Sequence, residues 1–272
     1  MGIIGTLPAN LQNGTTADAS QVMADLNFIV NQVNANGMPI GTISVGALVG
    51  IQIIPATGPY TANANAKRGV IDICGGAGAG GGAQASSGLN TAGSGGGAAA
   101  SARIWIPSNL QSYSGTIVTI GAGGTGVAAN NGNAGGATTF GALISCGGGV
   151  GGIAGLTAGP TIAAPNNATP AFSSSLIVLS SQIGDYGSPA SFTGASNSWS
   201  MGGKGGSSPF GSGGVGECVT NAATPTVQAG SNGTGYGAGG GGAAVTIASS
   251  VQYGVTAGFN GSSGIFIIYE FA

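Results

Sequence analysis

Carboxylates are the side chains of this sequence with the greatest capacity for catalysis, because the chain contains no histidine. Of the six aspartates and glutamates, only Asp185 and Glu217 lie in stretches that read as loops. Two facing carboxyl groups could serve as the acid and the nucleophile or base of a glycosidase. Nothing in the sequence brings these two together, and we predict that the protein is not an enzyme.

Neither a cofactor nor a metal is expected. The motif GAGGTG at 121–126 has the spacing of a dinucleotide-binding turn, but the following VAANNGNAGG cannot form the helix that would hold a pyrophosphate. Histidine, the commonest metal ligand, is absent.

Cys74, Cys146 and Cys218 form no CxxC pair, and their odd number argues against a disulfide framework. We interpret them as small apolar residues at the ends of strands.

Isolated aromatic residues are the stronger candidates for a functional role. They stand among polar residues and glycines, where aromatic rings supply large contact areas at low entropic cost. We predict that they contact a binding partner, with the alternative that each ring covers the end of a glycine layer. Trp105, within ARIWIP, is expected in the core instead. The candidates are Tyr186, Phe192, Trp199, Phe210 and Tyr236.

Glycine tracts dominate the chain that must position these residues. The sequence has 59 glycines in 272 residues, and the tracts at 74–97, 121–126, 146–152, 201–206 and 211–216 follow or precede strand-like runs. Because 42% of the residues are hydrophobic, a disordered chain is disfavoured. The glycines keep no period of three, which excludes collagen. We predict packed threads of polyglycine II, with about 3.1 Å rise per residue, that hydrogen-bond to their neighbours.

The low charge restricts the partners of the protein. Only 4% of the residues are charged, and the net charge is −2. Four cationic residues cannot neutralise many phosphates, so nucleic-acid binding is not expected. The apolar runs fall below the roughly 18 residues that span a bilayer, and the N-terminus lacks the cationic region of a signal peptide. We therefore expect neither membrane insertion nor signal-directed export.

The N-terminal segment 1–37 has a separate pattern. A weak capping box, Thr15 with Asp18, opens an apolar repeat spaced three and four residues apart, the seam of a coiled coil. Gly37 ends the predicted helix. We expect this helix to join copies of the chain, and its leucine and isoleucine positions favour three or four copies over two. The seam consists of Ala19, Val22, Leu26, Ile29 and Val33.

A β neck over 38–68 and a glycine-rich module over 69–272 follow. Val70–Cys74 and Ile265–Tyr269 are predicted to pair and close the module. Further strands are expected at Ser101–Ile106, Thr116–Ile120, Thr138–Ser145, Leu176–Ser180, Ala244–Ala248 and Ile265–Phe271. The stretches 157–174, 184–200 and 219–237 read as long loops, a length that is usually functional or disordered.

Four sequence elements occur in a fixed order: TADASQVMADLNFIVNQVNA, GVIDICGGAGAGGGA, TIVTIGAGGTG with GGATTFGALISCGGG, and the closing GIFIIYEF. Together they resemble the small glycine-rich tail-fibre proteins of tailed bacteriophages and prophages. The resemblance covers most of the chain. It implies layered polyglycine II threads with variable apical loops that contact a host receptor, as in the related distal adhesins of long tail fibres. This chain departs from those adhesins by its own helix and neck, which favours an oligomer attached through its N-terminus.

The sequence therefore predicts a mainly β and irregular fold: an N-terminal helix, a β neck and polyglycine II threads with short strands, assembled as a homotrimer. The expected function is receptor binding on a virion, at a tail fibre or tail tip, after synthesis in the host cytoplasm. Expected partners are an outer-membrane protein, glycan or pilus of a bacterium, and phage tail proteins at the N-terminus. An ice-binding protein and a purely structural fibre or surface spacer remain alternatives.

Overall fold

The computed structural model describes residues 26–27, 31, 46–84, 90–156, 161–164, 166–192, 199–220, 227–248, 251–252 and 255–272. The chain divides into two units, 1–47 and 48–272. In the first unit, the described residues Leu26, Asn27 and Asn31 are helical, and Leu26 is exposed. The other predicted seam residues, Ala19, Val22, Ile29 and Val33, lie outside the described residues.

The second unit is built mostly from β-strands. In chain order these are β1 (Leu48–Ile54), β2 (Gly58–Pro59), β3 (Arg68–Cys74), β4 (Ala83–Gln84), β5 (Thr91–Ala92), β6 (Ser101–Ile106), β7 (Ile117–Thr119), β8 (Thr138–Phe140), β9 (Ile144–Cys146) and β10 (Pro170–Phe172). They continue with β11 (Ile177–Gln182), β12 (Ser191–Phe192), β13 (Trp199–Met201), β14 (Cys218–Thr220), β15 (Val227–Gln228), β16 (Ala244–Val245), β17 (Ile247–Ala248), β18 (Val251–Gln252), β19 (Val255–Thr256) and β20 (Ile265–Phe271).

Two antiparallel sheets form a sandwich at one end of this unit. Sheet A has the order β1-β20-β3-β6-β11, and sheet B has the order β10-β9-β8-β7-β2. Alternate residues of β6, β7 and β20 are buried against the partner sheet, as the two-residue period of a strand requires. The core between the sheets combines Ile71, Ile104 and Phe266 of sheet A with Val118 and Phe140 of sheet B.

The predicted closing pair of strands is confirmed. Ile265 lies opposite Cys74, and Tyr269 lies opposite Val70, in an antiparallel register without a bulge. Strand β6 also has the predicted bounds. Thr138–Ser145, expected as one strand, is instead two strands joined by a turn at Gly141, whose φ is +51°. Glycine adopts this left-handed conformation at little cost, so the run reverses direction where it read as continuous.

The stretch predicted as a neck contributes directly to the sandwich. Strand β1 pairs along its length with β20, with a bulge between Leu48 and Gly50, and β2 pairs with β7. Residues 38–45 lie outside the described residues. We call the edge of the sandwich where β1 begins and β20 ends the base.

Glycine-rich threads extend from the sandwich. Thread 75–82 lies at their centre and has no exposed residue. Its N–H groups donate in rotation to three antiparallel segments at 2.8–3.0 Å. Gly75, Gly78 and Gly81 donate to Ala100, Gly97 and Ser94; Gly76, Ala79 and Gly82 donate to Gly136, Asn133 and Asn130; Ala77 and Gly80 donate to Ser262 and Phe259.

Three further segments donate to the carbonyl groups of the same thread, giving it six neighbours. Equivalent bonds recur every third residue, which is what a turn of three residues requires. The neighbours lie so close that a Cβ atom built at Gly78 would overlap the carbonyl oxygen of Val150, and one at Gly80 would overlap that of Gly241. Glycine is needed at these positions because another backbone occupies the place of the side chain.

Threads and strands are continuous with one another. Strand β3 runs into thread 75–82, β9 runs into thread 147–155, and β6 and β20 follow threads 93–100 and 257–264. The sandwich core thus fixes one end of each of these four threads. At the opposite end, which we call the far end, the threads lead into the small sheet β12-β13-β14-β15 and the pairs β5-β16, β17-β18 and β4-β19.

The stretches read as long loops contain regular structure in their described parts. In segment 184–190, the carbonyl groups of Asp185 and Ser188 accept hydrogen bonds from thread 93–100. Strands β10, β13 and β14 lie within or beside the three stretches that read as loops. Apart from the three helical residues of the first unit, helix in the described residues is confined to a 3-10 turn at Leu110–Tyr113. None of the helical segments described has the length and apolar content needed to cross a membrane.

Candidate functional site

A small apolar cluster packs the far end against the threads. Ala92, Ala190, Val219 and Ala244 are buried together beneath the four-stranded sheet. The buried Ser200 adds a hydrogen bond of 2.8 Å from its Oγ to the carbonyl oxygen of Thr91. The strands of this end are therefore attached to the threads by contacts on their inner faces, which leaves their outer faces for other contacts.

The outer face of β13 presents two large apolar side chains. Trp199 and Met201 alternate with the buried Ser200, as successive side chains of a strand do, and their exposed fractions are 39% and 42%. Cys218 of β14 lies directly opposite Met201 and is partly exposed. We call these three residues the apical face.

Other exposed apolar side chains lie at the same end. Leu156 follows thread 147–155, Ile162 lies beside Thr161, which accepts a hydrogen bond from Ala190, and Val255 opens β19. Ile162 has an exposed fraction of 70%. Exposed apolar groups that gather at one end of a molecule are typical of an interaction surface.

The aromatic candidates do not share one surface. Trp199 lies on the apical face, and Tyr186 is exposed on the flank of the bundle, next to Asp185. Phe210 and Tyr236 instead pack near the sandwich against the buried cluster of Cys74, Ala99 and Ile265. Phe192 belongs to β12.

Trp105 is not in the core, contrary to the expectation. It is partly buried on the outer face of sheet A, where its ring lies 6.2 Å from that of Phe271. Its neighbours Ile104 and Ile106 point inward and are buried. The alternation of β6 therefore directs the indole outward. The sequence ARIWIP does not show whether its isoleucines or its tryptophan face the core.

Asp185 and Glu217 lie at different levels of the bundle. The carbonyl of Asp185 accepts a hydrogen bond from the amide of Ala98 in thread 93–100. The amide of Glu217 donates to the carbonyl of Gly242, and the next residue, Ala243, accepts a hydrogen bond from Gly93 of the same thread. Gly93 and Ala98 are five residues apart, which is about 15 Å at the rise of a three-residue helix. A glycosidase pair is separated by about 5–10 Å. Burial raises the pKa of Glu217, and the N–H of Ala244 partly offsets this by donating to its carboxylate.

The cysteines lie at strand ends, where we expected them. Cys74 ends β3 and Cys146 ends β9, and both are buried and free. Burial raises the pKa of each of these thiols to about 12. Both therefore stay protonated at neutral pH and act as apolar groups.

The outer face of β1, the strand that begins at the base, carries a second set of exposed apolar side chains. Leu48, Ile51 and Ile53 of β1 are each more than half exposed. Ile51 and Ile53 lie opposite Tyr269 and Ile267 of β20, so they share the outer face of sheet A. An antiparallel sheet normally has polar residues on its solvent face, and this half of the face departs from that rule.

Sequence reasoning missed the ion pair on the other half of the same face. Arg103 of β6 donates from Nε and Nη2 to the two carboxylate oxygens of Asp72, both at 2.7 Å. The two residues lie opposite each other in the β3–β6 pair. The signal was present, since a lone charge in each of two apolar strands suggests a cross-strand pair.

The chain matches the family model of a glycine-rich domain over residues 55–270. No curated protein matches the chain. The match spans sheet B, the threads, the far end and sheet A except for β1 and the last residue of β20, and so covers most of the second unit. On this match, the chain belongs to the glycine-rich domain family.

Proposed function

We propose that the protein is a receptor-binding protein of a phage tail fibre or tail tip. It binds a bacterial surface receptor without covalent chemistry, through side chains at the far end of a polyglycine II bundle. The resemblance of the sequence to phage tail-fibre proteins supports this assignment, and so does the distribution of exposed apolar groups.

The observation that carries the proposal is the polarity of the second unit. Strand β1 begins and β20 ends at the base, whereas Trp199, Met201, Ile162, Leu156 and Val255 are exposed at the far end. Between them lies a bundle whose central amides are all paired. This arrangement suits a binding domain that is attached at its base and contacts a receptor at its far end. The hydrogen bonds of the bundle between the two ends do not involve the exposed side chains of the far end.

Attachment and self-association are proposed at the base. The seam predicted in segment 1–37 precedes β1, and the exposed Leu48, Ile51 and Ile53 support an interface between copies on that half of sheet A. In the proposed trimer, this N-terminal part also binds the tail of the virion. Three copies of the second unit on one fibre would bind a cell more tightly than one copy, because the second and third binding events are intramolecular.

Binding of the labelled protein to a panel of bacterial strains tests the function. We expect surface binding to at least one strain, and its loss in a Trp199→Ala/Met201→Ser variant. The matched control is Ile177→Ser/Leu179→Ser, which removes a similar exposed apolar pair from β11 at the sandwich. Binding that survives the apical change, in a variant with unchanged thermal unfolding, would contradict the proposal. Thermal hysteresis in the absence of any bacterial binding would favour the ice-binding alternative.

A further inference from the structure

A polar groove crosses the outer face of sheet A where this face meets the turn at 207–210. It consists of two adjoining clefts of about 310 and 300 Å³. Ser101, Gln182 and Pro209 line both clefts. Their combined size falls within the range of small-molecule sites, which is about 300–1,000 Å³.

One wall of the groove is aromatic and held in place. Phe210 lines the first cleft and packs against Cys74, Ala99 and Ile265. Its turn is bonded to the neighbouring segment, because the amide of Tyr236 donates to the carbonyl of Phe210 at 3.1 Å. The hydroxyl of Ser208 also donates to the carbonyl of Tyr236. The ring therefore needs little ordering when a ligand binds, which lowers the entropic cost of binding.

The floor of the groove holds an oriented ion pair. The carboxylate of Asp72 is buried and fixes the guanidinium of Arg103, which is itself half exposed. The bond to Asp72 and its negative charge raise the pKa of Arg103. A guanidinium fixed in this way presents its remaining N–H groups in a defined direction.

Charge is concentrated in the groove relative to the rest of the chain. Only 4% of all residues are charged, yet Asp72, Arg103 and Asp185 line the two clefts. Two carboxylates and one guanidinium leave a net charge of −1, which disfavours phosphates and acidic sugars. The hydroxyls of Ser180 and Ser181 and the amide of Gln182 add neutral donors and acceptors.

We propose that this groove is a binding site for a neutral saccharide. The vicinal hydroxyls of a sugar both donate and accept hydrogen bonds, and so fit a surface of carboxylate, guanidinium, amide and serine groups. The apolar face of the same ring fits against Phe210 and Pro209. The site is separate from the apical face and does not depend on the function proposed for that face.

Ligand-observed NMR with isolated sugars tests the site. The probes are glucose, galactose, mannose and N-acetylglucosamine, as free sugars and as their β-linked disaccharides, with N-acetylneuraminic acid as the anionic comparison. The variants are Gln182→Ala and Asp185→Asn, both at exposed side chains, and Phe210→Leu, which keeps an apolar contact with the buried cluster. Val215→Ala, at an exposed position on an outer thread, is the matched control.

We expect at least one neutral sugar to bind at millimolar concentration. Asp185→Asn should weaken that binding about tenfold or more, the effect of losing a charge-assisted hydrogen bond, whereas Gln182→Ala and Phe210→Leu should weaken it about two- to tenfold. Val215→Ala should leave it unchanged. The proposal is overturned if no neutral sugar binds the folded protein, if N-acetylneuraminic acid binds more tightly, or if binding persists in the groove variants. Because the probes are free sugars, none of these outcomes depends on binding to bacterial cells.

Discussion

The hydroxyl of Tyr60 donates a hydrogen bond of 2.6 Å to Oε1 of Glu270 inside the sandwich. Both residues are fully buried. The carboxylate also accepts from the backbone N–H of Asn63 at 2.9 Å and from Nε2 of Gln52 at 3.1 Å. A buried charge is tolerated when its lone pairs are filled in this way. This cluster connects the segment after β1 to the last strand, and so helps to close the base.

Tyr60→Phe should therefore lower the free energy of unfolding by about 1.5–3 kcal/mol, the contribution of one hydrogen bond to a charged group. Chemical denaturation measures this change. Tyr113→Phe is the control, because both rings pack on Phe140, at 5.7 and 6.2 Å. Equal effects of the two substitutions would show that the bond to Glu270 contributes nothing.

Stability should also fall in alkaline solution. Burial, followed by the bond to Glu270 and its negative charge, raises the pKa of Tyr60 well above its ordinary value. Above about pH 10 the unfolded chain loses the tyrosine proton and the folded protein keeps it, so the free energy of unfolding decreases as pH rises. Denaturation curves between pH 8 and 11, as test conditions, should show a steeper decrease in the wild type than in Tyr60→Phe. Parallel decreases would contradict this assignment.

Glycine in the central thread should be irreplaceable. Gly78→Ala places a Cβ against the carbonyl of Val150, and because that neighbour is backbone within the bundle, it cannot move alone. We expect a loss of about 2–4 kcal/mol in unfolding free energy, or failure to fold. Gly58→Ala is the matched control, since a Cβ there meets no atom within 4 Å. A thermal unfolding midpoint of Gly78→Ala equal to that of the control would refute the close packing of threads.

The three cysteines should differ in reactivity. With a pKa raised to about 12 and no exposure, Cys74 and Cys146 should resist a maleimide at pH 8. Cys218, partly exposed on the apical face, should be modified. Mass spectrometry of the native and the denatured protein gives the number and position of the labels. Rapid labelling of Cys74 in the native state would contradict the burial described here.

If copies of the chain associate at the base, the mass of the protein in solution should be that of a trimer. The full-length protein should be a trimer, and a version that starts at Met38 should lose the predicted seam and dissociate. Ile53→Asp should weaken the assembly, because it places a charge on the proposed interface. Ile162→Asp, at a still more exposed position at the far end, is the control and should keep the wild-type mass. A monomer in all forms would exclude the proposed trimer.

The strands were predictable where apolar side chains alternate. The pairing of Val70–Cys74 with Ile265–Tyr269 followed from two apolar runs near the ends of the module, and it is confirmed in register. The turn at Gly141 was missed, because glycine within a β-rich run indicates either a strand or a reversal.

The assignment of neighbours within the bundle was not predictable. Phe210 and Tyr236 lie near Cys74 because threads from distant parts of the sequence pack side by side. A thread of glycine carries no side-chain pattern that would identify its partner, and its backbone groups can pair with any other thread. The separation of the aromatic candidates depends on this packing, and the sequence alone does not show it.

The central claim is that the far end, and not the base, makes the receptor contact. Cys218 allows a direct test, because a polyethylene glycol chain attached there covers the apical face. The comparison protein carries Cys218→Ser and Leu48→Cys, which moves the same polymer to an exposed position at the base. We predict that the apical conjugate no longer binds bacteria that the unmodified protein binds, whereas the base conjugate still does. Undiminished binding by the apical conjugate would contradict the account.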